Sequence, residues 1–214
     1  MFRDIVIVGA GMVGLSMALA LHKKGMQVAV VEAKTLADKL SIDRVETRVS
    51  AINHNSQKFL KELDVWNDIK QNRISPYYAM QVWDNNLEDS INITAEELSE
   101  HNLGHIVEND LIVESLIGQI KKTDISIFEN AKIQEIQKYK DIAKIKLVDT
   151  EIETDLLIGA DGANSFVRDY FNFTTKTKPY EHTAIVASLV LDISHNQPAY
   201  QRFYDNGILA FLPL

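Results

Sequence analysis

Along the chain, the first pattern is an apolar run from Ile5 to Val8, a glycine-rich break, and a longer apolar stretch that turns polar at His22-Lys23-Lys24. A third run follows from Gln27 to Glu32. Short unbroken apolar runs suit strands buried on both faces, and the longer stretch suits a helix. The pattern predicts a strand over Ile5–Val8, a helix over Met12–Lys24 and a strand over Gln27–Glu32, which together make a parallel βαβ unit. The stretch "IVIVGAGMVGLSMALAL" has the hydropathy of a signal or anchor, but its regularly spaced glycines and the lack of a cleavage-like site favour strand and helix.

Farther on, Ser56, Phe59, Leu60, Leu63 and Trp66 recur near helical spacing, entered from a polar segment with Arg44 and Arg48. Residues Pro76 to Ile93 read as two strands about an Asn-Asn turn. A helix is expected from Asn109 to Lys122, capped by Asn109 or Asp110. A short strand and a run of alternating strands then lead to a buried strand, Leu156–Gly159. Tyr180–Leu191 and Tyr200–Leu214 are rich in strand-forming residues. A βαβ core alternating with antiparallel insertions predicts an interleaved, two-domain α/β chain. No repeat or low-complexity linker interrupts it.

Composition narrows the function classes. With 214 residues, 46% of them hydrophobic, the chain can bury a sizeable core. Its 22 basic against 30 acidic residues leave a net charge of −8, which opposes nucleic-acid binding. The absence of cysteine removes disulfides, thiolate metal sites and a cysteine nucleophile, and fits a reducing, cytoplasmic compartment. His101 and His105 are four apart, but Gly104 between them argues against one helical face, so no metal site is expected.

The glycine-rich break reads Gly9-Ala10-Gly11-Met12-Val13-Gly14. In this motif the first glycine permits the turn, the second admits a diphosphate to the backbone, and the third lets the helix lie close to the sheet. Glu32 ends the second strand, where an acceptor for a ribose hydroxyl is expected, and its charge favours FAD or NAD over NADP. The motif does not choose between those two. A second candidate turn, "LLIGADGANSFVRD", places Asp161, Gly162, Ser165 and Arg168 after a strand. If that strand joins the same sheet, its carboxyl end brings Asp161 and Gly162 beside the first glycine loop, since ligands bind at that edge of open α/β sheets. An ordinary Asp-Gly turn and an exposed arginine at a helix end are the bland alternative, as a solvated loop is for Arg44 and Arg48.

With both turns in place, the chain resembles the class A flavoprotein aromatic hydroxylases of the p-hydroxybenzoate hydroxylase fold. Their N-terminal GxGxxG is matched at Gly9, Gly11 and Gly14, and their internal Asp-Gly motif by "IGADGANSFVR". Within that class, "RVSAINHNSQKFLKELDVWNDI", "MQVWD", "LGHIVEN" and "LAFLPL" resemble ubiquinone-biosynthesis hydroxylases. The resemblance implies a Rossmann-type FAD-binding domain, residues 1–75 and 95–178, interleaved with an antiparallel-sheet substrate domain, 76–94 and 179–214. It implies FAD as cofactor, NAD(P)H as co-substrate, and O2 with a polyprenylated aromatic ring as substrates. Arg48 then contacts the FAD and Glu32 its adenosine ribose, while Asp161, Gly162 and Arg168 serve the flavin and nicotinamide cofactors. A membrane-resident substrate implies peripheral contact with an inner membrane or a biosynthetic complex. No side chain is expected as a catalytic acid or base, and Tyr78, Trp83, Phe203 and Phe211 are candidates to line an apolar substrate cavity.

Two departures accompany the resemblance. Asp110 and Val113 stand where the family often has Arg and Gln. Proteins of this type are also nearly twice as long, with a further Gly-Asp flavin motif that this sequence lacks, so the substrate domain is expected to be incomplete.

Overall fold

The computed structural model describes residues 1–36, 45–85, 90–192 and 197–214. Arg44, His195 and the second residue of the expected Asn-Asn turn lie outside them. In chain order the elements are β1 (Phe2–Val8), α1 (Met12–His22), β2 (Val28–Val31), β3 (Val49–Ile52), α2 (His54–Glu62), α3 (Trp66–Lys70), β4 (Ile74–Tyr77), β5 (Ala79–Trp83) and β6 (Ser90–Thr94). There follow β7 (Gly104–Glu108), α4 (Asn109–Ile120), β8 (Ser126–Phe128), β9 (Glu135–Lys138), β10 (Ala143–Lys146), β11 (Glu151–Gly159), α5 (Phe166–Tyr170), β12 (Pro198–Tyr204) and β13 (Gly207–Phe211). They form two compact units, Met1–Lys39 with Val113–Thr177, and Leu40–Ile112 with Lys178–Leu214.

The first unit is built on a six-stranded mixed sheet ordered β8-β2-β1-β11-β10-β9. β1 lies between two parallel neighbours, with Val8 opposite Val31 on one side and Gly159 on the other. Val6, Ala29, Val31, Ile136, Ile145, Leu147 and Ile152 pack into one buried cluster. Leu15, Ala18 and Leu19 of α1 are buried too, as the apolar run requires. The expected βαβ unit is present, with its helix ending two residues early as the chain turns through Gly25 at φ +85°.

β11 corrects one expectation. β10 pairs with it only at Glu151–Thr154, so Asp155–Gly159 has β1 on one side and no described strand on the other. Leu156 is 51% exposed, and the apolar run over Leu156–Gly159 is therefore not a buried central strand.

The second unit holds a three-stranded sheet, β3-β7-β4, and a four-stranded sheet, β13-β12-β5-β6. Tyr77, Ile106 and Ala199 form a buried cluster in it. The helical pattern ending at Trp66 resolves into two helices, because Asp64 takes a left-handed φ of 62° between them. Asn53 caps the first by accepting the Ser56 N–H. The expected strand over Tyr200–Leu214 is the hairpin β12–β13. Tyr180–Leu191, by contrast, forms no strand: Ile185 is 92% and Val190 100% exposed. β-Branched composition yields a strand only where a pairing edge and a buried face are available, and this segment has neither among the described residues.

Candidate functional site

In the first unit, parallel pairing of β1 and β11 brings the glycine loop and the Asp-Gly turn to one sheet edge. The Ala160 N–H donates to the Val8 carbonyl at 2.7 Å, and the Gly9 N–H to that of Val31 at 2.8 Å. Gly9 sits at φ +105°, and a Cβ there would overlap the Ala160 carbonyl oxygen and lie 2.8 Å from the Asp161 Cα. A Cβ on Gly14 would overlap the Gly9 carbonyl oxygen and touch the Ala160 methyl at 3.4 Å. Gly9, Gly14 and Ala160 are therefore packed against one another. Around a Cβ on Gly11, however, there is nothing within 4 Å. Gly11 also caps α1 without a side-chain hydrogen bond, and the first turn carries no acid, so its amide groups suit an anion.

Glu32 reaches back to this loop. Its Oε2 accepts the Ala10 N–H at 2.8 Å and its Oε1 the Lys34 N–H at 2.9 Å. Each oxygen keeps a further lone pair, so the carboxylate can brace the loop and still accept a hydroxyl. Met12 is half-buried and Val13 is 67% exposed at the helix start.

Asp161 spends both oxygens on its own turn. Oδ1 accepts the Ser165 hydroxyl and Oδ2 the Val167 N–H at 3.1 Å, while Ser165 Oγ caps α5 by accepting the Arg168 N–H at 3.0 Å. Gly162 supplies the left-handed step at φ +84°. Arg168 folds back on the same loop, donating to the Ala163 carbonyl at 2.7 Å and pairing with Asp169 at 2.9 Å. Asp161 and Arg168 thus build the turn, and its exposed backbone is what faces outward. Beside it, a cleft of about 460 Å3 is lined by Lys138, Tyr139, Leu156, Arg168 and Phe171, among others.

Arg48 belongs to the second unit. Its side chain is exposed and makes no hydrogen bond or ion pair among the described residues. Its carbonyl accepts the Asn109 N–H at 2.9 Å, and the Ser50 hydroxyl donates to Asn109 Oδ1 at 2.6 Å. Next to Asn109, Glu108 is only 1% exposed. Arg73 grips it with Nε on Oε1 at 2.8 Å and Nη2 on Oε2 at 3.1 Å, and the Glu46 N–H donates to Oε2 at 2.9 Å. Burial alone would raise the Glu108 pKa, but these hydrogen bonds and the Arg73 charge hold it below the usual carboxylate value. Sequence reasoning missed this arrangement and the role of Ala160. The signal for Ala160 was a small residue between the strand and Asp-Gly. Asp110, at a family-departing position, is exposed in the first turn of α4, and Val113 lies one turn on.

His105 is buried on β7, edge-on to Trp66 at 5.2 Å, and its Nδ1 has no hydrogen-bond partner among the described residues. Burial lowers its pKa. The described residues hold no group of three or more metal-ligating side chains. Of the four candidate cavity aromatics, Trp83 and Phe211 line a hollow of about 360 Å3 on the four-stranded sheet, with Tyr200, Arg202, Tyr204 and Leu209. Tyr78 and Phe203 are not among its lining residues.

Among curated proteins, the ubiquinone biosynthesis monooxygenase COQ6 of Drosophila melanogaster is 35% identical over 233 residues, covering 99% of this chain and 47% of that protein. The 3-demethoxyubiquinol 3-hydroxylase of Escherichia coli K12 is 30% identical over 213 residues, with 99% and 54% covered. The chain thus spans about half the length of the curated relatives it matches. Among solved structures, FqzB superposes with a TM-score of 0.71 at 19% identity, covering 97% of this chain and 50% of that one. The p-nitrophenol 4-monooxygenase PnpA of Pseudomonas putida gives 0.65 at 20%, with 81% and 44% covered. At such identities these show a shared fold. Among the described residues, no helix is long and apolar enough to cross a membrane. A family model described as an FAD binding domain matches residues 3–211, and the chain belongs to that family.

Proposed function

We propose that this chain is the flavin-binding part of an NAD(P)H- and O2-using monooxygenase that hydroxylates a polyprenylated phenol or quinol ring in ubiquinone biosynthesis. The observation that carries the reading is the convergence of the Gly9–Gly14 loop and the Asp161 turn at one edge of the first unit's sheet. The residues fit FAD: Gly11 leaves open the approach that a Cβ would fill, α1 begins without a cap, and Glu32 keeps lone pairs facing the loop. Ala10, Gly11, Met12, Val13 and Gly14 would receive the diphosphate and Glu32 a ribose hydroxyl, with Asp161, Gly162 and Arg168 beside them in the first unit, and Arg48 is the flavin contact proposed for the second. Bound FAD would supply the redox chemistry, with NAD(P)H as the two-electron donor and O2 as the source of the ring oxygen and of the water released. The protein's share is to bind, orient and exclude water, with no side chain assigned as an acid or base.

The relatives' names carry the substrate assignment, and through it a place at a membrane surface or in a biosynthetic complex. The sheets support the functional division read from sequence: β5, β6, β12 and β13, within 76–94 and 179–214, share one sheet. FAD titration followed by flavin fluorescence, with NAD as competitor, tests the reading. Saturable FAD uptake that Gly11→Ala and Arg48→Ala both weaken is expected. Uptake of NAD in preference to FAD would replace it with a dehydrogenase-like binding protein.

A further inference from the structure

We infer that Glu108 and Asn109, with Arg73 as counter-charge, are positioning residues that hold the 46–50 segment so that Arg48 is presented to the flavin. This rests on the reading of Arg48 as a flavin contact. Three alternate residues of the 46–50 segment are tied to this pair: the Glu46 N–H to Glu108, the Arg48 carbonyl to the Asn109 N–H, and the Ser50 hydroxyl to Asn109. The Arg48 backbone is thus fixed on both sides while its side chain remains exposed. A ligand then has only side-chain rotamers to order, which is the physical content of preorganisation.

Burying the Glu108 carboxylate against a half-buried arginine is a costly way to secure a strand end, since apolar packing does so as well. Here Glu108 joins the segment before β3 to the residue before β4, through Glu46 and Arg73. Asparagine beside it adds a donor and an acceptor aimed at the same segment. The pair sits at the junction of β7 and α4, where the rigid strand supplies the reference frame.

The test combines FAD titration with amide hydrogen exchange on the full chain, using Glu108→Gln, Arg73→Lys, Arg48→Ala and the Arg48→Ala/Glu108→Gln double variant. Arg48→Ala is expected to weaken FAD by about tenfold, the scale of one charge-assisted contact. Glu108→Gln should weaken it by roughly half as much on a logarithmic scale in the wild-type background and not at all once Arg48 is gone. Arg73→Lys, which keeps the charge, should lie between Glu108→Gln and wild type. Exchange over residues 45–50 should quicken in Glu108→Gln while β1 and β11 stay protected. An equal loss from Glu108→Gln with and without Arg48 would overturn the inference, because the clamp would then act through the fold at large. Unchanged exchange at 45–50 overturns the clamp alone. An Arg48→Ala chain that binds FAD normally overturns the flavin reading of Arg48, whatever the exchange data say.

Discussion

A methyl group added at Gly11 meets nothing, whereas one added at Gly9 or Gly14 collides with backbone. Gly9→Ala and Gly14→Ala are therefore expected to cost roughly 1–3 kcal/mol of stability, as overpacking does, and more at Gly9 because its φ is positive. Gly11→Ala should leave the thermal midpoint near wild type and act on FAD affinity instead; a large drop in its midpoint would contradict the open space seen there. These three glycines, with Glu32, are legible in sequence because their roles follow from spacing within one βαβ unit. Ala160 and the Glu108 clamp are not: a small residue before Asp-Gly marks Ala160 without showing what packs on it, and the partners of Glu108 stand 35 and 62 residues away. His105 adds a pH dependence. Its pKa in the fold lies below the ordinary 6.5, so the unfolded chain binds the proton more readily and stability falls as pH drops below 6.5. Glu108, with its lowered pKa, adds a second loss below its ordinary 4.5. Thermal midpoints measured against pH should show the upper limb flattened in His105→Gln and the lower limb flattened in Glu108→Gln.

At the scale of elements, the Asp161 turn is a cap as much as a ligand loop. Asp161→Ala removes the acceptor of both the Ser165 hydroxyl and the Val167 N–H, and should cost about 1–2 kcal/mol, as lost helix caps do. Asp161→Asn keeps one acceptor and should cost less. If FAD affinity falls in proportion to the lost stability in both variants, the carboxylate acts on the flavin through the turn's shape rather than by touching it. Elements whose signals are local were legible: β1, α1, β2 and α4 fall close to their expected bounds, while Tyr200–Leu214, expected as strand, holds two paired strands and the turn between them. Tyr180–Leu191 was misread because strand composition says nothing about whether an edge waits to pair with it. The break at Asp64 escaped for a related reason. Periodicity passes smoothly through Leu63 and Trp66, and only the backbone reveals a left-handed residue between them.

For the molecule as a whole, the α/β character and the interleaving were legible from the order of helical and strand patterns, while the strand order of the sheets was not, because register is set across long loops. Binding linkage belongs at this scale: FAD at a hundredfold excess over its Kd should add about 2.7 kcal/mol, read as a raised thermal midpoint. A midpoint unmoved by saturating FAD would mean that flavin also binds the unfolded chain or does not bind at all. The contact of Gly9 with Ala160 has a kinetic consequence. Phe2 pairs with Glu153 and Val8 with Gly159, so the glycine loop acquires its shape only when strands from opposite ends of the first unit meet. Helix α1 can form on its own within microseconds, but closing so long a loop is slow. During refolding, helical signal should therefore return well before the capacity to quench flavin fluorescence. A nascent chain that has not yet made residue 159 carries the complete glycine motif and no site.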